Sequence, residues 1–215
     1  MTELLEAYVA AAPGVYGYWA QVANLGSAPR PADVRRLSEF LYELERRTDK
    51  AVVADRLGQL GLGYLAGGLS GYCIGTGAPE FFRHPPSISV SSDGSKPKGF
   101  ALVAYHAGYL RNFQTRGPHA SRAAEAFARI RCGCGFHEPG EPPASNVAKK
   151  LHCFYCRVEQ TTAVLAGSPA ENLRTFLELI ASGEEESRVL DGDLRLYAAL
   201  RETLPRDAAA ATANG

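Results

Sequence analysis

The sequence predicts an α/β fold, and two observations carry the prediction. Short apolar runs alternate with amphipathic helical patterns through the first half of the chain, and the runs end in polar residues. Such alternation implies a parallel sheet with helices packed on it. Four short strands are fewer than a closed eight-stranded barrel requires. The expected architecture is a partial (β/α) barrel or a small parallel sheet with helices, plus a zinc-binding loop and C-terminal helices.

The elements follow in order. Gly17 to Asn24 reads as a buried strand. Residues 31–48 read as a helix: Pro31 suits its first turn, and Val34, Leu37, Phe40, Leu41 and Leu44 make an apolar stripe. Ala51 to Asp55 is a short strand, and residues 57–69 form a glycine-rich helical or loop segment. In it, Gly61-Leu-Gly63 and Gly67-Gly68 allow close packing. Gly71 to Gly75 is a third strand, Ser87 to Lys98 a polar linker and Phe100 to His106 a fourth strand. A helix over 121–130 leads into a cysteine-rich window. Ser168-Pro-Ala-Glu171 is a capping box that opens a helix over 168–182, with the stripe Leu173, Phe176, Leu177 and Ile180. A last helix covers 193–203. The expected division is an α/β core (1–130), a zinc-binding insertion (131–160), C-terminal helices packed on the core (161–204) and a disordered alanine-rich tail (205–215).

With 215 residues the chain can bury one sizeable core. The N-terminal stretch lacks the basic region of a signal peptide. The uncharged run Leu57 to Pro79 contains eight glycines and reads as a soluble segment, not a membrane span. The cytosol is the expected location, with no membrane partner.

Four of the five cysteines fall in one 25-residue window, as Cys132-x-Cys134 and Cys153-x-x-Cys156. Two thiol pairs around a turn-rich segment can wrap one tetrahedral ion, and zinc suits thiolates and imidazoles. Residues 138–146 hold three prolines and no apolar run, which suits an exposed loop between two ligand pairs. The expected ligands are Cys132, Cys134, Cys153 and Cys156, with His137 or His152 able to replace one of them. An iron–sulfur cluster takes the same four thiolates, and a chance grouping of structural cysteines takes no metal. Cys73, in an apolar glycine-rich run, reads as a core residue.

The chain is neutral overall, with 23 basic and 23 acidic residues, but unevenly so. Residues 94–157 hold ten lysines and arginines against three acids. Interleaved aromatics make this block compatible with RNA or DNA, with Lys149 and Lys150 on phosphates and Tyr105 and Tyr109 stacking on bases. The alternative is a solvated surface balanced by the acidic C-terminal helices around Glu184-Glu-Glu186. At the strand ends, Asp55 could serve as nucleophile or general base, or cap a helix and pair with Arg56. His106 could be an acid/base group or a satisfied structural histidine. Gly75-Thr-Gly77 offers a lone phosphate-type turn without a longer motif.

Val52-Val-Ala-Asp55-Arg-Leu-Gly-Gln-Leu-Gly61, opening onto Gly71-Tyr-Cys-Ile-Gly-Thr76, together with the basic stretch from Phe100 into Cys132-x-Cys134, resembles the late barrel units of tRNA-guanine transglycosylase-like proteins. That family's zinc site has the pattern C-x-C-x-x-C with a distant histidine. The resemblance implies Cys132 and Cys134 as the first two ligands, puts His137 where the third cysteine would stand, and leaves the fourth to His152, Cys153 or Cys156. The family's Asp-Ser-Gly-Gly motif is absent, so no catalytic aspartate carries over. The expected function is a zinc-binding α/β protein engaging nucleic acid or a nucleobase. The alternatives are a non-enzymatic zinc-stabilised module that binds another protein, and a small-molecule enzyme using Asp55 and His106.

Overall fold

A computed structural model describes residues 2–22, 25, 29–73 and 103–205. Asn24, Gly75-Thr-Gly77, the linker Ser87 to Lys98, Phe100 and the tail from residue 206 lie outside the described residues.

Three strands, β1 (Gly17–Gln21), β2 (Ala51–Asp55) and β3 (Gly71–Cys73), form a parallel sheet in the order β1-β2-β3. The register aligns Gln21 with Asp55 and Asp55 with Cys73, so polar strand ends gather at one edge. Helix α1 (Thr2–Ala11) precedes the sheet. Helix α2 (Pro31–Thr48) links β1 to β2, and the short α3 (Leu60–Ala66) links β2 to β3. Pro31 starts α2, as expected. Asp49 ends it in the left-handed region, with φ 51°. Of the predicted α2 stripe, Val34, Leu41 and Leu44 are buried, and Leu37 and Phe40 pack at its margin.

The glycine-rich segment is the helix α3, threaded through the middle of the core. A Cβ on Gly61 would lie 2.4 Å from the Tyr72 ring, and one on Gly63 would lie 2.0 Å from the Thr203 hydroxyl. Only glycine lets α3 approach both neighbours this closely. Around it Leu41, Leu44, Leu60, Phe176, Ile180, Tyr197 and Leu200 form the main core.

The fourth strand corrects the barrel expectation. β4 (Val103–His106) does not extend the parallel sheet. It pairs antiparallel with β5 (Arg111–Gln114), His106 opposite Arg111, through a tight 3-10 turn over 107–109 and Leu110 at φ 51°. Among the described residues the parallel sheet is therefore open and three-stranded. Beyond the hairpin come α4 (Ala120–Arg129), α5 (Asn146–Val164), α6 (Pro169–Leu190) and α7 (Arg195–Arg201). The Ser168 capping box opens α6 as predicted. That helix continues well past residue 182, through Gly183, whose bare backbone lies against Tyr197.

Candidate metal centre

Two segments meet to make the site. Helix α4 ends at Arg129, and the chain then loops through Cys132, Cys134 and His137. Facing it, α5 carries His152 and Cys156, four residues apart and so on one helical face. Ser145 caps α5, accepting from Ala148 N at 3.0 Å. Cys153 and Cys156, expected in a zinc-binding insertion over 131–160, lie in mid-helix.

Ligand atoms of Cys132, Cys134, His137 and His152 all lie within 4.8 Å of one another, so these four side chains can hold a metal ion. His152 Nδ1 is 3.2 Å from Cys134 Sγ and 3.8 Å from Cys132 Sγ. Its other nitrogen, Nε2, donates to the carbonyl of Tyr105 at 2.6 Å. His137 is arranged alike: Nδ1 donates to the Glu138 carbonyl at 3.0 Å, and Nε2 is buried with no hydrogen-bond partner. Each imidazole thus has one nitrogen tied to a backbone carbonyl. That bond fixes the tautomer and frees the lone pair of the other nitrogen, the usual arrangement around a metal-binding histidine. The two rings meet edge to face at 4.7 Å, and Phe127 closes over both, 5.4 Å from His137 and 5.7 Å from His152.

Of the four predicted cysteines, the structure brings Cys132 and Cys134 into this set. Cys156 borders it, with Sγ 3.9 Å from Cys132 and 3.6 Å from His152 Nδ1. Cys153 packs instead in a small apolar cluster with Tyr105 and Cys156. Hydrogen bonds from Cys156 first, and also from His152, hold the Cys132 thiol well below its ordinary pKa. The contact with Cys132, then burial, pushes Cys156 up. Burial also raises Cys134. His137 was named from its spacing, but its orphaned nitrogen is visible only in three dimensions.

The proposed catalytic residues sit apart, on different sheets, and no hydrogen bond joins them. Asp55 is 4% exposed at the end of β2, where Gln21 Nε2 donates to its carboxylate and Arg56 Nε lies 3.7 Å away. Arg56 itself has φ 54°. His106 is 3% exposed, and its Nε2 donates to the Ile130 carbonyl at 3.1 Å. Phe127 lies 4.5 Å from the His106 ring and Tyr109 4.9 Å from it. Burial lowers the His106 pKa to about 4. Its hydrogen bond to Ile130 ties β4 to the start of the cysteine loop.

The nucleic-acid residues need correction. Tyr105 and Tyr109 are 1% and 0% exposed, so neither ring offers a face to a base. The Tyr105 ring is covered by Arg157, whose guanidinium carbon is 3.8 Å from its centroid. Lys149 is buried, whereas Lys150 is exposed. Several cations of the basic block pair with C-terminal acids: Arg111 and Arg122 with Asp191, at 2.7 and 3.4 Å, and Arg129 with Glu186 at 3.0 Å. Cys73 is partly buried at the end of β3, and among the described residues no helix is long and apolar enough to cross a membrane.

No family model, curated protein or solved structure matches this chain.

Proposed function

We propose that this chain is a zinc-stabilised interaction module, in which Cys132, Cys134, His137 and His152 hold one structural zinc ion. The observation that carries the zinc reading is the buried, partnerless Nε2 of His137, set among two thiols and a second imidazole of complementary tautomer. Around a tetrahedral zinc with bonds of about 2.0–2.3 Å, donor atoms lie roughly 3.3–3.8 Å apart. The His152–Cys134 and His152–Cys132 separations of 3.2 and 3.8 Å are close to that spacing. Four protein donors leave no open position for substrate, which favours a structural over a catalytic role. The set also follows the C-x-C-x-x-C plus histidine order of the family the chain resembles, with His137 in place of the third cysteine.

The interaction surface is the outer face of α5. Val147, Leu151, Phe154 and Val158 are 45–67% exposed and fall at alternating spacings of four and three, an apolar stripe opposite the metal ligands. Phe136 of the metal loop extends it, 6.0 Å from the Tyr155 ring. Zinc would hold that loop against the helix and keep the face rigid. Two measurements test the proposal. Elemental analysis of protein purified without added metal should find about one zinc per chain. A partner recovered from cells with the wild type should be lost with Phe154→Glu, while thermal stability stays unchanged. A metal-free protein with an intact fold refutes the zinc reading, and an unchanged partner refutes the surface.

A second reading, nucleic-acid engagement, is favoured by one observation. Arg116, Arg131 and Lys150 are exposed and carry no ion pair among the described residues. Salt-dependent anisotropy of a labelled single-stranded probe tests it, and no binding at low salt ends it.

A further inference from the structure

A cleft of about 370 Å³ lies between the end of β5 and the proline loop that precedes α5. Thr115, Arg116, Glu141, Pro142, Pro143 and Lys149 line it. Lys149 is 6% exposed although it carries an ammonium group. Of the three donors that group possesses, one goes to the hydroxyl of Thr115. Among the described residues no carboxylate pairs with it. Arg116, the second cation of the cleft, is also without an ion pair there. Burial first, and then the charge of Arg116, holds the Lys149 pKa below the usual lysine range.

Burying a cation without a counter-charge is costly, and two cations facing one cleft raise the cost. The backbone adds to the positive field. Lys149 stands at the start of the 19-residue helix α5, whose first turn contains no acidic residue. The positive end of the helix dipole therefore acts on the same space. Glu141 is the one acid lining the cleft, and it forms no ion pair with Lys149. An anion entering here would meet a point-charge ammonium, a planar guanidinium fork and a hydroxyl. That combination suits phosphate, whose tetrahedral oxygens and double charge can engage all three groups at once. The cleft is also larger than a phosphate ion, with room for the group that carries it.

We infer that Lys149, Arg116 and Thr115 form a binding site for the phosphate group of a small phosphate monoester. The site uses none of the metal ligands, so it does not depend on the metal reading.

Calorimetric titration of the full chain at low salt tests this, with inorganic phosphate and glycerol phosphate as probes. Both should bind, the ester at least as tightly as the free ion. Lys149→Met should weaken both by tenfold or more, and Arg116→Gln by threefold or more, with metal content unchanged and the melting temperature not lowered. Absence of binding by the wild type, equal binding by Lys149→Met, or equal displacement by sulfate and chloride would overturn the inference. So would an oligonucleotide that binds through Lys149 when the ester does not. If Lys149→Met fails to fold, reductive methylation of the wild type decides the matter. Phosphate should protect Lys149 and leave Lys150 reactive, and equal labelling with and without phosphate refutes the site.

Discussion

Gln160 accepts the hydroxyl of Tyr105 at 2.6 Å and donates from its amide to the Ala107 carbonyl at 3.0 Å. One side chain of α5 thereby clamps β4 and the turn that follows it. The clamp turns the Tyr105 ring inward, and the Tyr105 carbonyl is left to receive His152. The orientation of a proposed metal ligand is thus set by the docking of a strand against a helix.

The ligand set predicts a graded response to substitution. Cys134→Ser and His152→Ala should lose most of the bound metal and lower the melting temperature sharply, because metal affinity here is folding free energy. Cys153→Ser should keep the metal and cost on the order of 1–3 kcal/mol, as for a buried thiol exchanged for a hydroxyl. Metal content and thermal melts of the three variants check this. Metal loss on Cys153→Ser would return that residue to the ligand set.

His106 predicts a pH dependence. Its folded pKa of about 4 lies below the ordinary 6.5, so the unfolded chain takes up a proton that the folded one refuses. The contribution is fully present above about pH 6.5 and is lost as pH falls toward 4, amounting to about 3 kcal/mol. His106→Leu removes the linkage. Denaturant melts at pH 7 and pH 4.5 should show a smaller acid loss in the variant. Taking the difference between the two proteins cancels any acid-induced metal loss common to both. Parallel losses would mean that His106 is not held neutral.

Gly63→Ala should be severe. Its Cβ would meet the Thr203 hydroxyl at 2.0 Å and the Phe176 ring at 2.7 Å, both inside the core. Overpacking of this kind costs about 1–3 kcal/mol or more. Gly14→Ala is the control, with nothing within 4 Å of the new methyl. Chemical denaturation of both should separate them, and equal midpoints would contradict the packing of α3.

Ser168→Ala removes the side-chain half of the α6 capping box, in which Ser168 accepts from Glu171 N and Glu171 accepts from Ser168 N. The expected loss is about 1 kcal/mol. A fall in the denaturation midpoint without a change in slope checks it.

Local signals made much of this legible. The 3.6-residue stripe and Pro31 announced α2, and Ser168 to Glu171 announced the start of α6. Strand–helix alternation implied the parallel pairing of β1, β2 and β3. The hairpin was hidden because Arg111-Asn-Phe-Gln114 is short and polar, without the apolar run that marks a buried strand. Helix α5 was hidden by its own chemistry. The cysteine spacing suggested a loop, although Ser145 followed by the stripe Val147, Leu151, Phe154 and Val158 was a readable helix signal. Tyr105 and Tyr109 misled for another reason. An aromatic beside basic residues has the same appearance in sequence whether it faces solvent or core, and Arg157 covering Tyr105 comes from a helix about fifty residues away.

The proposed metal ligands lie on both sides of the proline-rich stretch over 138–145: Cys132, Cys134 and His137 before it, His152 after it. A protease that cut this stretch would not separate the halves. The ion would bridge the break, adding to the core that α3 already shares with α6 and α7, and a chelator would leave the nicked chain joined by that core alone. The same geometry makes this the natural place to divide the gene into two pieces, whose products would reassemble more tightly where zinc is supplied.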